Sequence, residues 1–129
     1  MKEIEIGSKT YLEPELEDVL GATDLGTDHV IDDWPWGSRK TCKMHFSVES
    51  TNRGERLVKQ STFNGRVNKP KKTTYASRVK IIEIDGKIGH VELTKSMSHV
   101  GVRMQDGSYK EATFWDEDAK KIASHFFSD

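Results

Sequence analysis

The run Val79-Lys80-Ile81-Ile82-Glu83-Ile84 carries apolar side chains on both parities and is followed at once by Asp85-Gly86. A strand with one wet face alternates, whereas a strand that is apolar on both faces must be covered on both. The chain therefore needs a layer of structure on each side of this central strand. Asp-Gly is hairpin chemistry, because the tightest two-residue turn needs positive φ at its central positions. Lys87 to Thr94, Met97 to Gln105 and Ser108 to Trp115 follow as further strands, with Lys95-Ser96 and Asp106-Gly107 as turns between them.

Tight pairing through the first two turns puts Ile82, Ile84, Val91, Leu93, Val100 and Val102 on one face. In the last hairpin a strict two-residue turn would set Val102 opposite Glu111. One extra residue sets it opposite Ala112 and Val100 opposite Phe114, so a bulge is predicted there. Trp115-Asp116-Glu117-Asp118 then opens a helix, with acids at its positive end and Ala119, Ile122, Ala123 and Phe126 on one stripe. That stripe supplies one of the two covers.

Upstream, Cys42, Met44, Phe46 and Val48 alternate with Thr41, Lys43, His45 and Ser47, which is strand periodicity. Thr51-Asn52-Arg53-Gly54 turns the chain, and Glu55 to Phe63 returns with Leu57 and Phe63 inward and Arg56, Val58, Gln60 and Thr62 outward. The outer face of this hairpin presents Lys43, His45, Arg56 and Gln60, and Lys59 gives its stem to the inner side. Asn64-Gly65 opens a long basic loop in which Pro70 disfavours a regular element.

The leading segment is less regular. Lys2 to Ile6 alternates as a short edge strand, and Glu13 to Leu20 reads as one or two helical turns stopped by Gly21. Residues 22–33 show neither period and are expected to be loop. Trp34-Pro35-Trp36 is the hinge before the basic hairpin, its indoles expected to plug one end of the sheet. The fold class expected is mainly β: one curved antiparallel meander sheet of about five to six strands, small-barrel-like, packed by a C-terminal helix. One domain over 1–129 is expected, with an acidic segment at 1–37, the sheet at 38–115 and the helix at 116–127.

Charge is distributed in blocks. Residues 1–33 hold ten acids and two lysines, and Arg39 to Lys80 holds twelve Lys or Arg against Glu49 and Glu55, within a chain of net charge −1. Cations on a two-stranded ribbon and an adjoining loop suit a polyanion, since counterion release from several phosphates drives such binding. The function expected is a small non-enzymatic nucleic-acid-binding accessory protein, for RNA or DNA, using Lys43, Arg56, Arg66, Lys69, Lys71, Lys72, Tyr75 and Arg78. The alternative is a protein-binding modulator or inhibitor acting through Asp24, Asp28, Asp32, Asp33, Trp34 and Trp36.

Few other chemistries have a foothold. Phosphate-loop, dinucleotide, paired-cysteine and His-Glu-x-x-His patterns do not occur. Cys42 and His45 fall on opposite strand faces and form no nucleophile and base, so no catalytic residue is assigned. If the Lys95-Ser96 turn is tight, His90, Glu92 and His99 share a face with His99 opposite Glu92, the one metal-ligand candidate. No cofactor is expected. The single cysteine fits a reducing compartment, and no apolar run approaches the ~20 residues of a membrane span, so a cytoplasmic protein without a membrane partner is expected.

Overall fold

The computed structural model describes residues 1–33, 42–96 and 98–128. It is mainly β, with 57% strand and 14% helix, antiparallel pairing and a C-terminal helix. The strands are β1 (Lys2–Ile6), β2 (Lys9–Glu13), β3 (Thr23–Gly26), β4 (Asp28–Ile31), β5 (Cys42–Thr51), β6 (Gly54–Phe63), β7 (Arg66–Val67), β8 (Lys71–Lys72), β9 (Arg78–Ile84), β10 (Lys87–Leu93), β11 (His99–Met104) and β12 (Ala112–Trp115), and the helices are α1 (Leu16–Leu20) and α2 (Asp116–Phe127).

The strands divide between sheets instead of forming one meander. One five-stranded sheet has the order β12-β11-β10-β9-β3, the other the order β4-β5-β6-β7 with β8 also on β6, and β1-β2 is a separate hairpin. Among the described residues no barrel closes. β9 is the central strand that its doubly apolar sequence requires. On one side Ile82 and Ile84 pack with Val91, Leu93, Val100 and Val102 against Ala119, Ile122 and Phe126 of α2 and Val19 of α1. On the other, Val79, Ile81 and Ile88 meet Phe46 and Leu57 of the second sheet. A helical layer and a second sheet are thus its two covers.

The hairpin β5-β6 has the expected inward and outward parities, and its register sets Val48 opposite Leu57 and His45 opposite Gln60. Gly54, at φ +120, turns it, and a Cβ there would collide with the Ala76 carbonyl oxygen. That close approach matters because Glu55 and Ala76 exchange backbone hydrogen bonds of 2.9 and 2.8 Å, tying the start of β6 to the lead-in of β9. The Glu55 carboxylate also accepts from the Val79 amide at 2.8 Å. In the last hairpin Val102 lies opposite Ala112 and Val100 opposite Phe114, as expected. The offset is absorbed by the connection between β11 and β12, where the Asp106 carboxylate accepts from the Ser108 amide at 2.9 Å and the Ser108 hydroxyl at 2.8 Å.

Several expectations are corrected. Residues 22–33 are not loop but hold β3 and β4, one on each sheet, so the acidic segment belongs to both sheets and the sheet region begins well before residue 38. Their periodicity is poor because Gly26, at φ +79, breaks the run and shifts the register on β9. Lys9–Glu13 adds a strand beside Lys2–Ile6. Pro70 does not exclude regular structure, since β7 and β8 flank it and both pair with β6. The turn after β10 is not tight: Leu93 lies opposite Val100, and the Thr94 amide donates to the His99 carbonyl. The expected hinge residues Trp34 and Trp36 lie outside the described residues, as do Arg39 and Lys40.

Candidate functional site

Alternation along β5 and β6 separates their polar side chains into two sets. The outer face carries Lys43, His45 and Arg56 as expected, but its charges are matched. Lys43 Nζ lies 3.6 Å from Asp32, His45 Nε2 lies 2.8 Å from Asp28, and Arg56 Nε donates to Glu49 at 2.5 Å. Lys72 Nζ sits 3.6 Å from the other Glu49 oxygen. Donation by Arg56, opposed by burial and aided by the charges of Arg56 and Lys72, holds the Glu49 carboxyl below the usual carboxylate range. Arg78 pairs with Glu55 at 3.7 Å and Lys80 with Asp24 at 3.4 Å. Tyr75 is not a free stacking ring, because the Arg56 guanidinium lies 4.4 Å from its centroid.

Lys43, Arg56, Lys72, Tyr75 and Arg78 therefore do not form the open cationic face expected of them. Short-range pairing with the chain's own carboxylates has consumed it. The acidic alternative loses charge by the same bonds, since Asp24, Asp28 and Asp32 are each engaged by a cation or imidazole. Asp33 alone of that set has no ion pair among the described residues.

The inner face differs. Lys59 lies across from Lys71, Phe46 from Lys59, and Met44 from Ser61. A cavity of about 470 Å³ opens here, lined by Met44, Lys59, Ser61, Asn68, Lys69, Lys71 and Gln105. A second of about 280 Å³ shares Lys59, Lys71 and Gln105 and reaches His90 and Arg103 of the facing sheet. No carboxylate of the described residues lines either one. Two cross-strand pairs, Lys59 with Lys71 and His90 with Arg103, border the same space from opposite sheets.

The loop that holds this cleft open is built by hydrogen bonds. Asn68 donates its amide to the Ser61 carbonyl at 2.9 Å and its side-chain nitrogen to the Ser61 hydroxyl at 2.8 Å. Two residues after Lys71, the Leu57 amide donates to the Thr73 hydroxyl and the Thr73 amide donates to the Leu57 carbonyl, each at 3.0 Å. Lys59 Nζ donates to the neutral Gln105 Oε1 at 2.7 Å, and burial, then the charges of Lys71 and Arg103, push its pKa down. Arg103 is partly compensated by Glu111, 2.7 Å away on the solvent side. Arg66, Lys69 and Lys71 have no ion pair among the described residues.

His90 is 1% exposed, and neither of its ring nitrogens has a hydrogen-bond partner. Its Nε2 is 3.8 Å from Glu92 Oε1, an electrostatic contact too long for a hydrogen bond. That contact, opposed by burial and aided by the charges of His90, Arg103 and His99, holds the Glu92 carboxyl below its usual range. The expected opposition of His99 and Glu92 is corrected: Glu92 lies across from Gly101, while His99 pairs with Trp115 and stacks on its ring at 4.5 Å. Among the described residues no three His, Cys, Asp or Glu side chains gather closely enough to hold a metal ion.

Of the residues expected to bind nucleic acid, the structure brings Lys69 and Lys71 to the cleft and leaves Lys43, Arg56, Lys72 and Arg78 in ion pairs. Lys59, Arg103, Gln105 and His90 join the site from outside the expected set. Lys59 had a signal, an inward parity beside Leu57, but Arg103 becomes a neighbour only through the pairing of β10 with β11. Cys42 is a buried core residue. No helix of the described residues is long and apolar enough to cross a membrane. No family model, curated protein or solved structure matches the chain.

Proposed function

We propose that this chain is a small non-enzymatic accessory protein that binds nucleic acid, RNA or DNA, with a single strand entering the cleft between the two sheets. The observation that carries the reading is the meeting of Lys59, Lys69, Lys71 and Arg103 around a space that no described carboxylate lines. Like charges opposed across a strand pair cost stability, and so does the partial burial of Lys59. A bound phosphate relieves both penalties, which is the reason to expect an anion there. Asn68, Ser61 and Gln105 add neutral groups able to reach phosphate oxygens or base edges. A lone buried thiol suits the reducing cytoplasm, where we place this activity.

The test is a titration of single-stranded and duplex RNA and DNA oligonucleotides at low and moderate salt. Binding to a single strand is expected, with log affinity falling by about 0.7 per phosphate contacted for each tenfold rise in salt. Affinity that is indifferent to salt, or no binding at low salt, rejects the reading.

A further inference from the structure

The inner cavity has a chemical character that the wider cleft lacks. Its lining brings Lys59, Lys71 and Arg103 together with the His90 imidazole, and touches Lys72, whose charge is held by Glu49. It ends against residues of the core: Leu57 is 2% exposed, His90 1% and Met104 7%. At about 280 Å³ the recess holds many times the ~30 Å³ share of one water, room for a phosphate and part of its sugar.

His90 supplies an independent observation. A neutral imidazole carries one N–H donor and one acceptor nitrogen, and a protonated one carries two donors. Both nitrogens are buried and unbonded. Leaving a buried donor unmade costs about 1–3 kcal/mol, so such atoms call for a ligand or an ordered water. Among the described residues the only carboxylate within ion-pair distance of the ring is Glu92, at 3.8 Å and without hydrogen-bond geometry. Phosphate oxygens are acceptors that satisfy an imidazole N–H and the lysine and arginine donors together.

We propose that this recess is a subsite for a terminal phosphomonoester, so that the protein prefers a strand with a phosphorylated end over the same strand ending in hydroxyl. The assignment rests on the nucleic-acid reading above and narrows it to a class of ends. A terminal phosphate carries about −1.5 to −2 charges near neutral pH, its second pKa being about 6, against −1 for an internal diester. Lys59 and Lys71, which have no ion pair among the described residues, and Arg103, shared with Glu111, favour the more highly charged group. Lys59, whose pKa is pushed down by burial and by Lys71 and Arg103, gains most from it.

The experiment uses the full chain and four versions of one short single-stranded oligonucleotide, bearing a 5′-phosphate, a 3′-phosphate, both or neither, with the matching nucleoside monophosphates as competitors. One of the two singly phosphorylated strands is expected to bind about tenfold more tightly than the hydroxyl strand, the gain of one further charge-assisted contact. The two single-phosphate arms say which end is read. Arg103→Gln is expected to erase that preference. His90→Gln is expected to do the same, and because a buried substitution can unfold the protein, a second readout accompanies it: the ¹⁵N resonances of the His90 ring in the unmodified protein, which should shift as inorganic phosphate is added. Equal affinity for all four strands, or unmoved His90 resonances under saturating phosphate, overturns the subsite while leaving the nucleic-acid reading standing. Failure of every strand to bind, with His90 still responding to phosphate, removes the nucleic-acid reading and keeps the anion recess.

Discussion

The two faces of the β5-β6 hairpin are made by the same two strands, yet they handle charge in opposite ways. On the outside Lys43, His45, Arg56 and Lys72 each sit beside a carboxylate, from β4, its following residue Asp32, or Glu49. On the inside Lys59 meets a neutral amide, and Lys71 meets no ion pair among the described residues. Exposed ion pairs contribute little stability because solvent already screens the charges. Their larger effect here is to cancel the field of the outer face. Lys59 and Lys71 keep theirs, Lys59 where burial leaves less water to screen it. Local charge density in the chain is therefore a poor guide to where the working charge lies; the parity of each residue and the identity of the adjoining strand decide it.

The largest effect that bears on this contrast should come from Phe46→Ala. Phe46 is fully buried between the sheets and lies opposite Lys59, so its loss removes the packing that holds the cleft walls together. A destabilisation of about 3–5 kcal/mol is expected from chemical denaturation curves. A change under 1 kcal/mol on the same curves would mean that the sheets do not depend on this contact.

Next comes reversal of the inner charges. Lys69→Glu together with Lys71→Glu should weaken single-strand binding on the order of a hundredfold at low salt and flatten the salt dependence by about 1.4 in log–log slope. The matching outer substitution, Lys43→Glu, should change affinity by less than about twofold, since that lysine is already offset by Asp32. Equal losses from the two faces in an anisotropy titration would erase the distinction between them.

The smallest expected effect is on acid stability. Glu92 has its pKa lowered in the folded protein, mainly by His90. Its stabilising contribution is therefore complete above the unfolded carboxyl pKa of about 4.3 and is lost as pH falls through the lower folded value. Melting temperatures of the parent and Glu92→Gln should converge below about pH 4 and separate above it, with the parent the more stable. Curves that stay parallel down to acid pH would show that Glu92 is not coupled to the cavity wall.

Much of the fold was legible in advance, and the legible parts share a cause. β5 and α2 each bury one stripe in a regular period and β9 is apolar on both parities, so sequence spacing alone states which residues face a core. The short strands were not legible. β3 and β4 hold four residues each, interrupted by Gly26, and pair at sheet edges where no period is enforced. The loop after β10 is not fixed by its residues, because Lys95-Ser96 permits more than one hairpin length. The longer turn sets Glu92 opposite Gly101 and not His99. For the candidate site, Lys69 and Lys71 stand out in the sequence as part of a charge run, whereas the place of His90 beside Arg103 follows only from the pairing of β10 with β11.

The periodic burial of Cys42 to Phe63 and Val79 to Phe126 is written in the order of residues, because a strand or helix side must be apolar wherever it meets the core. Which cations are left without a carboxylate is a different kind of fact. It depends on β4 lying beside β5 while β7 and β8 lie beside β6 at the far side of the same sheet, so that the acids of the leading segment reach Lys43 and His45 and are separated from Lys69 and Lys71 by β5 and β6. Coulomb energy follows distance in space, and distance in space is set by strand order, which no count of charges along the chain contains.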